Sequence, residues 1–217
     1  MVKKLLLAFV LVLATLYVAA DFGARALADA GVSKELQSSL RLSTRPDVSL
    51  GGFPFIPKLV SGHFDTVTAT ARGFSVGGVR FARVDLTLHD VKTSTWHVLR
   101  GADTKIAVGG GEGTATMTAA DASAALKDAG FPIEVKFEGG KVRVHAVRVS
   151  GPSGTSFVVT PTIRHGVLIL LGLGNFGGPV RLPLPDVVPG LLYTGVKVVG
   201  SRAELSFDVR KATLRIA

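Results

Sequence analysis

One stretch of this sequence matches the pattern of a serine nucleophile. Residues 73–77 read Gly-Phe-Ser-Val-Gly, and in the G-x-S-x-G motif a strand, a sharp turn and a helix together expose the serine hydroxyl. The residues that follow alternate as a strand and supply no helix, and the chain is short for an α/β-hydrolase scaffold. We therefore expect Ser75 to be a turn residue and not a catalytic nucleophile.

A second stretch matches the G-x-G-x-x-G motif of dinucleotide-binding folds. Residues 172–177 read Gly-Leu-Gly-Asn-Phe-Gly and follow an apolar strand. The motif needs a helix whose N-terminus holds the pyrophosphate. Prolines at positions 179, 183, 185 and 189 are incompatible with that helix. The segment is predicted to be a loop, and no cofactor is expected.

The metal-ligating residue types show no useful spacing. Histidines stand at positions 63, 89, 97, 145 and 165, without an H-x-x-x-H or related pattern. There is no cysteine, which excludes thiolate sites, disulfides and a lipoprotein-type anchor. The acidic residues include no pair placed for glycoside hydrolysis. No metal site and no catalytic residue is predicted, and the chain is not expected to be an enzyme.

The N-terminus has the pattern of an export signal. Two lysines precede residues 5–20, which carry no charge, and Val18-Ala19-Ala20 supplies the small residues that signal peptidase requires. A spanning helix needs about 20 apolar residues, so the length favours a cleaved signal and leaves an uncleaved plasma-membrane anchor open. Either way, residues 21–217 are expected to be one exported domain in the periplasm or cell envelope.

The composition is apolar beyond what an export segment explains. Of 217 residues, 47% are hydrophobic and 19% are charged, which excludes a largely disordered chain and indicates an apolar cavity or groove. The net charge of +9 suits an anionic membrane surface. Nucleic acid is not an expected partner, because the basic residues form no dense run and no aromatic-and-basic motif.

Hydrophobic periodicity predicts a long helix followed by antiparallel strands. Val32, Leu36 and Leu40 recur every four residues in a helix predicted over residues 21–42. Alternation predicts a strand at residues 84–88. Three hairpins are predicted, with turns at residues 139–140, 164–166 and 200–201.

One further short helix is predicted inside the strand-rich part. Thr118 and Asp121 form a capping box that begins it, and Gly130 with Pro132 ends it. Because successive hairpins imply an antiparallel sheet, the predicted fold class is α+β.

The most distinctive segment is residues 46–64, in which two phenylalanines flank a proline beside a glycine turn. It is either a hairpin corner that plugs the core or the wall of an apolar cavity, since acyl chains need a dry wall and no polar partners. In the second interpretation the candidate groove residues are Phe53, Phe55, Ile56, Leu59 and Val60, with Leu36 and Leu40 from the preceding helix.

This segment resembles the signature of the LmeA-like phospholipid-binding family of actinobacterial cell-envelope proteins. The resemblance continues through residues 74–91, through Gly-Thr-Ala-Thr-Met-Thr at 113–118, and through Leu-Pro-Leu-Pro at 182–185 and Val-Pro-Gly-Leu at 188–191. It covers nearly everything after Asp21, with several separated motifs in the same order.

The resemblance implies a fold similar to the tubular lipid-binding (TULIP, BPI-like) domains. In these a curved antiparallel β-sheet wraps around a long N-terminal helix and leaves an apolar groove. It also implies binding of phosphatidylinositol or another anionic phospholipid, and support of mannan elongation or maintenance in lipomannan and lipoarabinomannan. The alternative is a non-catalytic adaptor for an envelope glycosyltransferase, with lipid incidental. Head-group candidates, by charge alone, are Arg80, Arg83, Arg143 and Arg148.

Overall fold

The computed structural model describes residues 2–39, 42–94, 104–131, 133–146, 156–171, 179–184 and 190–216. Within these residues the chain has an α+β fold, in which three helices accompany two curved antiparallel sheets that are not closed into a barrel. The predicted α+β fold class with its long N-terminal helix is confirmed, and the structure contains two further helices where one was predicted.

The elements follow one another in a simple order. They are α1 (Val2–Ser39), β1 (Asp47–Leu50), α2 (Phe55–Ser61), β2 (His63–Val76), β3 (Val79–Thr93), β4 (Thr104–Thr118), α3 (Ala119–Asp128), β5 (Ile133–Glu138), β6 (Lys141–Ala146), β7 (Ser156–Arg164), β8 (Val167–Leu171), β9 (Val180–Pro183), β10 (Leu191–Val199), β11 (Arg202–Val209) and β12 (Ala212–Ile216).

The two segments predicted separately at the N-terminus form one helix. Helix α1 runs without interruption through residue 20 to Ser39, which at about 1.5 Å per residue makes it about 57 Å long. Residues 9–20 are exposed, whereas one face of the helix packs on the domain from Asp21 onward. The helix ends slightly before the predicted residue 42, and Leu40 lies outside the described residues.

The first sheet is built by the two ends of the domain. Its strand order is β1-β2-β3-β4-β11-β10, and β12 pairs with the start of β4 beside the end of β11. The C-terminal hairpin therefore completes a sheet begun by β1 to β4. This non-local pairing places residues more than 80 positions apart in sequence on one face.

The second sheet is a meander of consecutive strands, β5-β6-β7-β8-β9. The turns at residues 139–140, 165–166 and 200–201 join the three predicted hairpins, with Gly139, Gly140, Gly166 and Gly200 at positive φ. Helix α3 begins as predicted, because the Thr118 hydroxyl accepts a hydrogen bond from the Asp121 N–H at 3.2 Å.

The interior between the sheets is well filled. One cluster joins the second sheet to α3, and a neighbouring cluster joins α3 to the first sheet through Met117, Ala125 and Leu205. A cavity of about 40 Å³ lies among the described residues there. A larger space lies elsewhere on the first sheet.

Candidate functional site

A groove with a volume of about 280 Å³ lies on the inner face of the first sheet. The end of α1 and the segment after it form one wall, and β10 forms the other. The described lining residues carry no charge. They are Leu36, Leu42, Pro46, Ala69, Ala71, Phe74, Phe81, Val84, Leu86, Leu88, Val108, Ala115, Leu191, Tyr193, Phe207, Val209 and Ala212.

One row across the sheet shows how the floor is assembled. The strand register aligns Ala69 with Leu86, Leu86 with Gly113, Gly113 with Phe207, and Phe207 with Tyr193. The side chains of directly paired residues lie on the same face of a sheet. Since members of this row line the groove, all of these positions face it. The rings of Tyr193 and Phe207 meet edge to face, with centroids 6.2 Å apart. The floor is therefore aromatic at one side and small at the other.

Small residues keep the groove open. Ala69 and Ala71 occupy two successive inward positions of β2, where larger aliphatic side chains would fill the space. Gly113 lies directly beneath Phe207, and a Cβ at this glycine would stand 2.4 Å from the Phe207 ring and 2.6 Å from the Asp85 carbonyl oxygen. Any side chain at Gly113 would displace the ring that forms the floor.

A row of polar side chains four residues apart fastens α1 to the edge strand β1. Arg25 donates to the Ser49 hydroxyl at 2.9 Å, and Asp29 accepts from the Leu50 N–H at 2.8 Å. The Ser33 hydroxyl, one turn further on, donates to the carbonyl oxygen of the residue before β1. Side chains of the helix thus satisfy backbone groups that an edge strand would otherwise leave open. They fix the helical wall of the groove.

One turn before Arg25, the side chain of Asp21 contacts α2 instead of β1, and it holds this short helix. Its carboxylate is 2% exposed and accepts from the backbone N–H groups of Phe55 and Ile56, each at 2.8 Å. These are orphan donors at the start of a helix, where a negative charge is favourable. From the sequence, Asp21 was placed only at the start of the exported domain and of its predicted helix. No local sequence signal links it to residues 34 and 35 positions away.

The predicted groove residues occupy different places. Leu36 lines the groove. Phe55 is completely buried in a separate cluster with Leu50, Phe64 and Val91, on which Leu59 also packs.

Phe53 and Val60 are exposed to 64% and 69%, and Ile56 is half-buried beside Asp21. The described lining of the groove does not include these three or Phe55 and Leu59. Leu40 is outside the described residues, and contact of any of these side chains with a lipid stays a prediction.

The head-group candidates that the structure describes lie on outward faces of strands. Arg80 is exposed and adjoins the inward-facing Phe81. Arg83 donates to both Asp85 oxygens, at 2.6 and 2.7 Å, and these hydrogen bonds raise the pKa of the Arg83 guanidinium. Arg143 lies 3.6 Å from a Glu138 oxygen. Arg148 lies outside the described residues, and a head-group role for all four stays a prediction.

A basic pair that the sequence analysis missed lies on the rim of the groove. Arg210 and Lys211 are exposed and form the turn between Val209 and Ala212, which both line the groove. The Arg210 N–H donates to the Gly190 carbonyl oxygen at 2.9 Å, which ties this turn to the start of β10. The available signal was the pattern Val-Arg-Lys-Ala, in which two charges interrupt an alternating strand.

Of the two stretches that match catalytic or cofactor-binding motifs, the structure describes the one around Ser75. Ser75 is exposed near the end of β2, and strand β3, not a helix, follows the turn at Gly77 and Gly78. The nucleophile-elbow geometry is therefore not formed around Ser75. Residues 172–177 lie outside the described part of the chain. Within that described part, no three His, Asp or Glu side chains are grouped so that they could hold a metal ion.

Fold and groove together define a class: an α+β domain with an open cavity whose described lining is uncharged and suited to apolar chains. A family model described as LmeA-like phospholipid-binding matches residues 19–215. This chain belongs to the LmeA-like phospholipid-binding family. Comparisons with curated proteins and with solved structures found no match.

Proposed function

We propose that this protein binds a phospholipid outside the cytoplasm by holding acyl-chain carbons in the groove of the first sheet. The observation that supports this most directly is the lining, in which aliphatic and aromatic side chains surround about 280 Å³ and none of the described lining residues is charged. Each buried CH₂ contributes about 0.8 kcal/mol. About ten of them supply roughly 8 kcal/mol before ordering costs, without any polar contact.

The lipid head group then belongs at the rim. Arg210 and Lys211 are the basic residues placed in a turn between two lining positions, and a cationic pair favours an anionic head group such as phosphatidylinositol. The family supports phospholipid binding, and we propose the periplasm or cell envelope as its location. We further propose that the protein supports elongation or maintenance of the mannan chain in lipomannan and lipoarabinomannan.

The decisive experiment fills the groove. The full chain is purified from membranes, and its bound lipid is extracted and quantified by mass spectrometry for the wild type and Ala71→Trp. Because Ala71 lines the groove, the indole is expected to take the place of acyl carbons and to lower lipid retention to background.

The matched control is Thr68→Trp. Thr68 is exposed and lies next to the lining residue Ala69 on the same strand, so it faces the opposite side of the sheet. Lipid associated with α1 is common to both variants and cancels. Equal lipid retention in Ala71→Trp and Thr68→Trp would reject the groove as the binding site. Capture of an envelope glycosyltransferase by a lipid-free chain would support the adaptor alternative.

A further inference from the structure

We infer that α1 is retained in the working protein and that the domain rests on the bilayer through the outer face of this helix and the tip of α2. We call this surface the membrane face, and define it by Phe22, Leu27, Phe53 and Val60. The inference goes beyond lipid binding and does not require the groove to hold a lipid.

The charged residues of α1 are concentrated on one side of the helix. Three charged residues, Asp21, Arg25 and Asp29, interrupt residues 5–33. All three lie on the side of the helix that packs on the domain, where they bind the backbone or a side chain of residues 49–56. These charges therefore lie on the domain side of the helix, where Asp21 is buried and Arg25 and Asp29 are partly buried.

The outer face of the same helix stays uncharged well past residue 20. Its exposed residues between 22 and 31 are Phe22, Gly23, Ala26, Leu27, Ala30 and Gly31. The first exposed charges are Lys34 and Glu35. From Phe9 to Ser39 the helix is long and apolar enough to cross a membrane, and little of its most apolar stretch is buried in the fold.

Length places the domain against the bilayer. Residues 5–20 of a helix extend about 24 Å, which is about 6 Å short of a hydrocarbon core of about 30 Å. Four more residues, up to residue 24, close that gap, so Phe22 lies within one helical turn of the edge of the core. The carboxylate of Asp21 is at this depth without facing lipid, because two backbone N–H groups and the fold enclose it.

The tip of α2 lies at the same level, because Asp21 binds its first N–H groups. Phe53, just before this short helix, is 64% exposed, and Val60, near the end of the helix, is 69% exposed. Two large apolar side chains beside a spanning helix gain free energy by entering the interfacial region of a bilayer. A partner protein is not needed to explain their exposure.

The absence of cysteine in this chain allows a direct test. Single cysteines replace Leu27, Val60 or Val199 in the full chain, each labelled with the fluorophore NBD in phosphatidylcholine–phosphatidylglycerol vesicles. Val199 is the matched control, since it is a valine 53% exposed at the β10–β11 turn. The exposed positions keep folding intact, which circular dichroism verifies for each variant.

The labels at positions 27 and 60 are expected to show blue-shifted emission and quenching by nitroxide-bearing lipid. The label at 199 is expected to be quenched by aqueous iodide instead. If positions 27 and 60 behave like 199, the membrane face is rejected. The intact mass of the chain recovered from cell membranes is expected to include residues 2–20, and a chain beginning at Asp21 would overturn retention of the anchor. Loss of lipid in Ala71→Trp bears on the groove alone, so the two proposals fail separately.

Discussion

Two apolar regions lie side by side on the inner face of the first sheet, and they are packed in opposite ways. In the α2 corner, Phe55 is fully buried and its ring centroid is 6.0 Å from that of Phe64. In the groove, alanines and phenylalanines line a space of about 280 Å³. Leu88 contributes to both regions. Both regions are apolar, but large side chains fill the corner beneath a covering element formed by α1 and α2, whereas alanines on β2 leave the groove open.

The covering element of the corner is fixed by polar contacts as well as by apolar ones. Asp21 holds the start of α2, and Arg25 and Asp29 hold β1. Ala24, Ala28 and Val32, on the adjacent row of α1, pack against the corner cluster. One turn later, Leu36 reaches the groove wall without closing it. A single helix therefore seals one region and borders the other.

The largest expected effect is loss of the corner. Phe55→Ala removes a fully buried ring, and the resulting cavity is expected to lower the free energy of unfolding by about 3–5 kcal/mol. The measurement is urea unfolding of the full chain in detergent, followed by circular dichroism.

Phe53→Ala is the control, because it removes the same ring two residues away at a position that is 64% exposed. Its effect on the free energy of unfolding is expected to stay within about 0.5 kcal/mol. If the free energy of unfolding falls by a similar amount in both variants, burial of the Phe55 ring does not stabilise this cluster in the way proposed.

An intermediate effect is expected from the polar contact that holds α2. Asp21→Ala leaves two N–H groups at the helix start without their acceptor, and is expected to lower the free energy of unfolding by about 1–3 kcal/mol. Asp21→Asn keeps one acceptor oxygen, so its free energy of unfolding should fall by less than that of Asp21→Ala. Lipid retention, measured by extraction, should be unchanged in both, since Asp21 does not line the groove. An Asp21→Asn variant as unstable as Asp21→Ala would point to charge as the main contribution.

Local features were predictable from the sequence. The capping pair Thr118 and Asp121 and the glycine turns at residues 139–140 and 200–201 are local signals, and the structure contains the helix and hairpins that they predict. The continuity of α1 was harder to predict. Asp21 looks like the boundary between two segments because its partners, the N–H groups of α2, are distant in sequence.

The groove illustrates why the rest could not be predicted. The groove residues predicted from the sequence were five apolar side chains between positions 53 and 60, together with Leu36 and Leu40. The lining instead takes alternate residues from strands far apart, such as Ala69, Leu86 and Phe207. Their meeting depends on the strand order β3-β4-β11-β10, which no local pattern specifies. Alternation in the sequence identified the inward positions of β3, but not the residues of other strands that line the groove with them.

The outer face of the groove strands offers the finest comparison, because it carries ion pairs where the inner face carries apolar side chains. Asp85 lies between the lining residues Val84 and Leu86 and receives two hydrogen bonds from Arg83. These bonds are the main cause that lowers the pKa of the Asp85 carboxyl. Since the pKa is lower in the folded chain, the pair stabilises the fold above the ordinary pKa of aspartate. This stabilisation is lost as the pH falls through the lowered value.

The smallest expected effect is therefore that of Asp85→Asn. Because both partners are partly exposed, the loss in the free energy of unfolding at neutral pH should stay below about 1 kcal/mol. The difference from wild type should disappear in acid, once the carboxyl is protonated in both states. Urea unfolding at neutral and at acidic pH measures this, with Asp208→Asn as a control for charge alone on an exposed position of β11. A difference that persists in acid would show that Asp85 acts through packing against Arg83 and not through its charge.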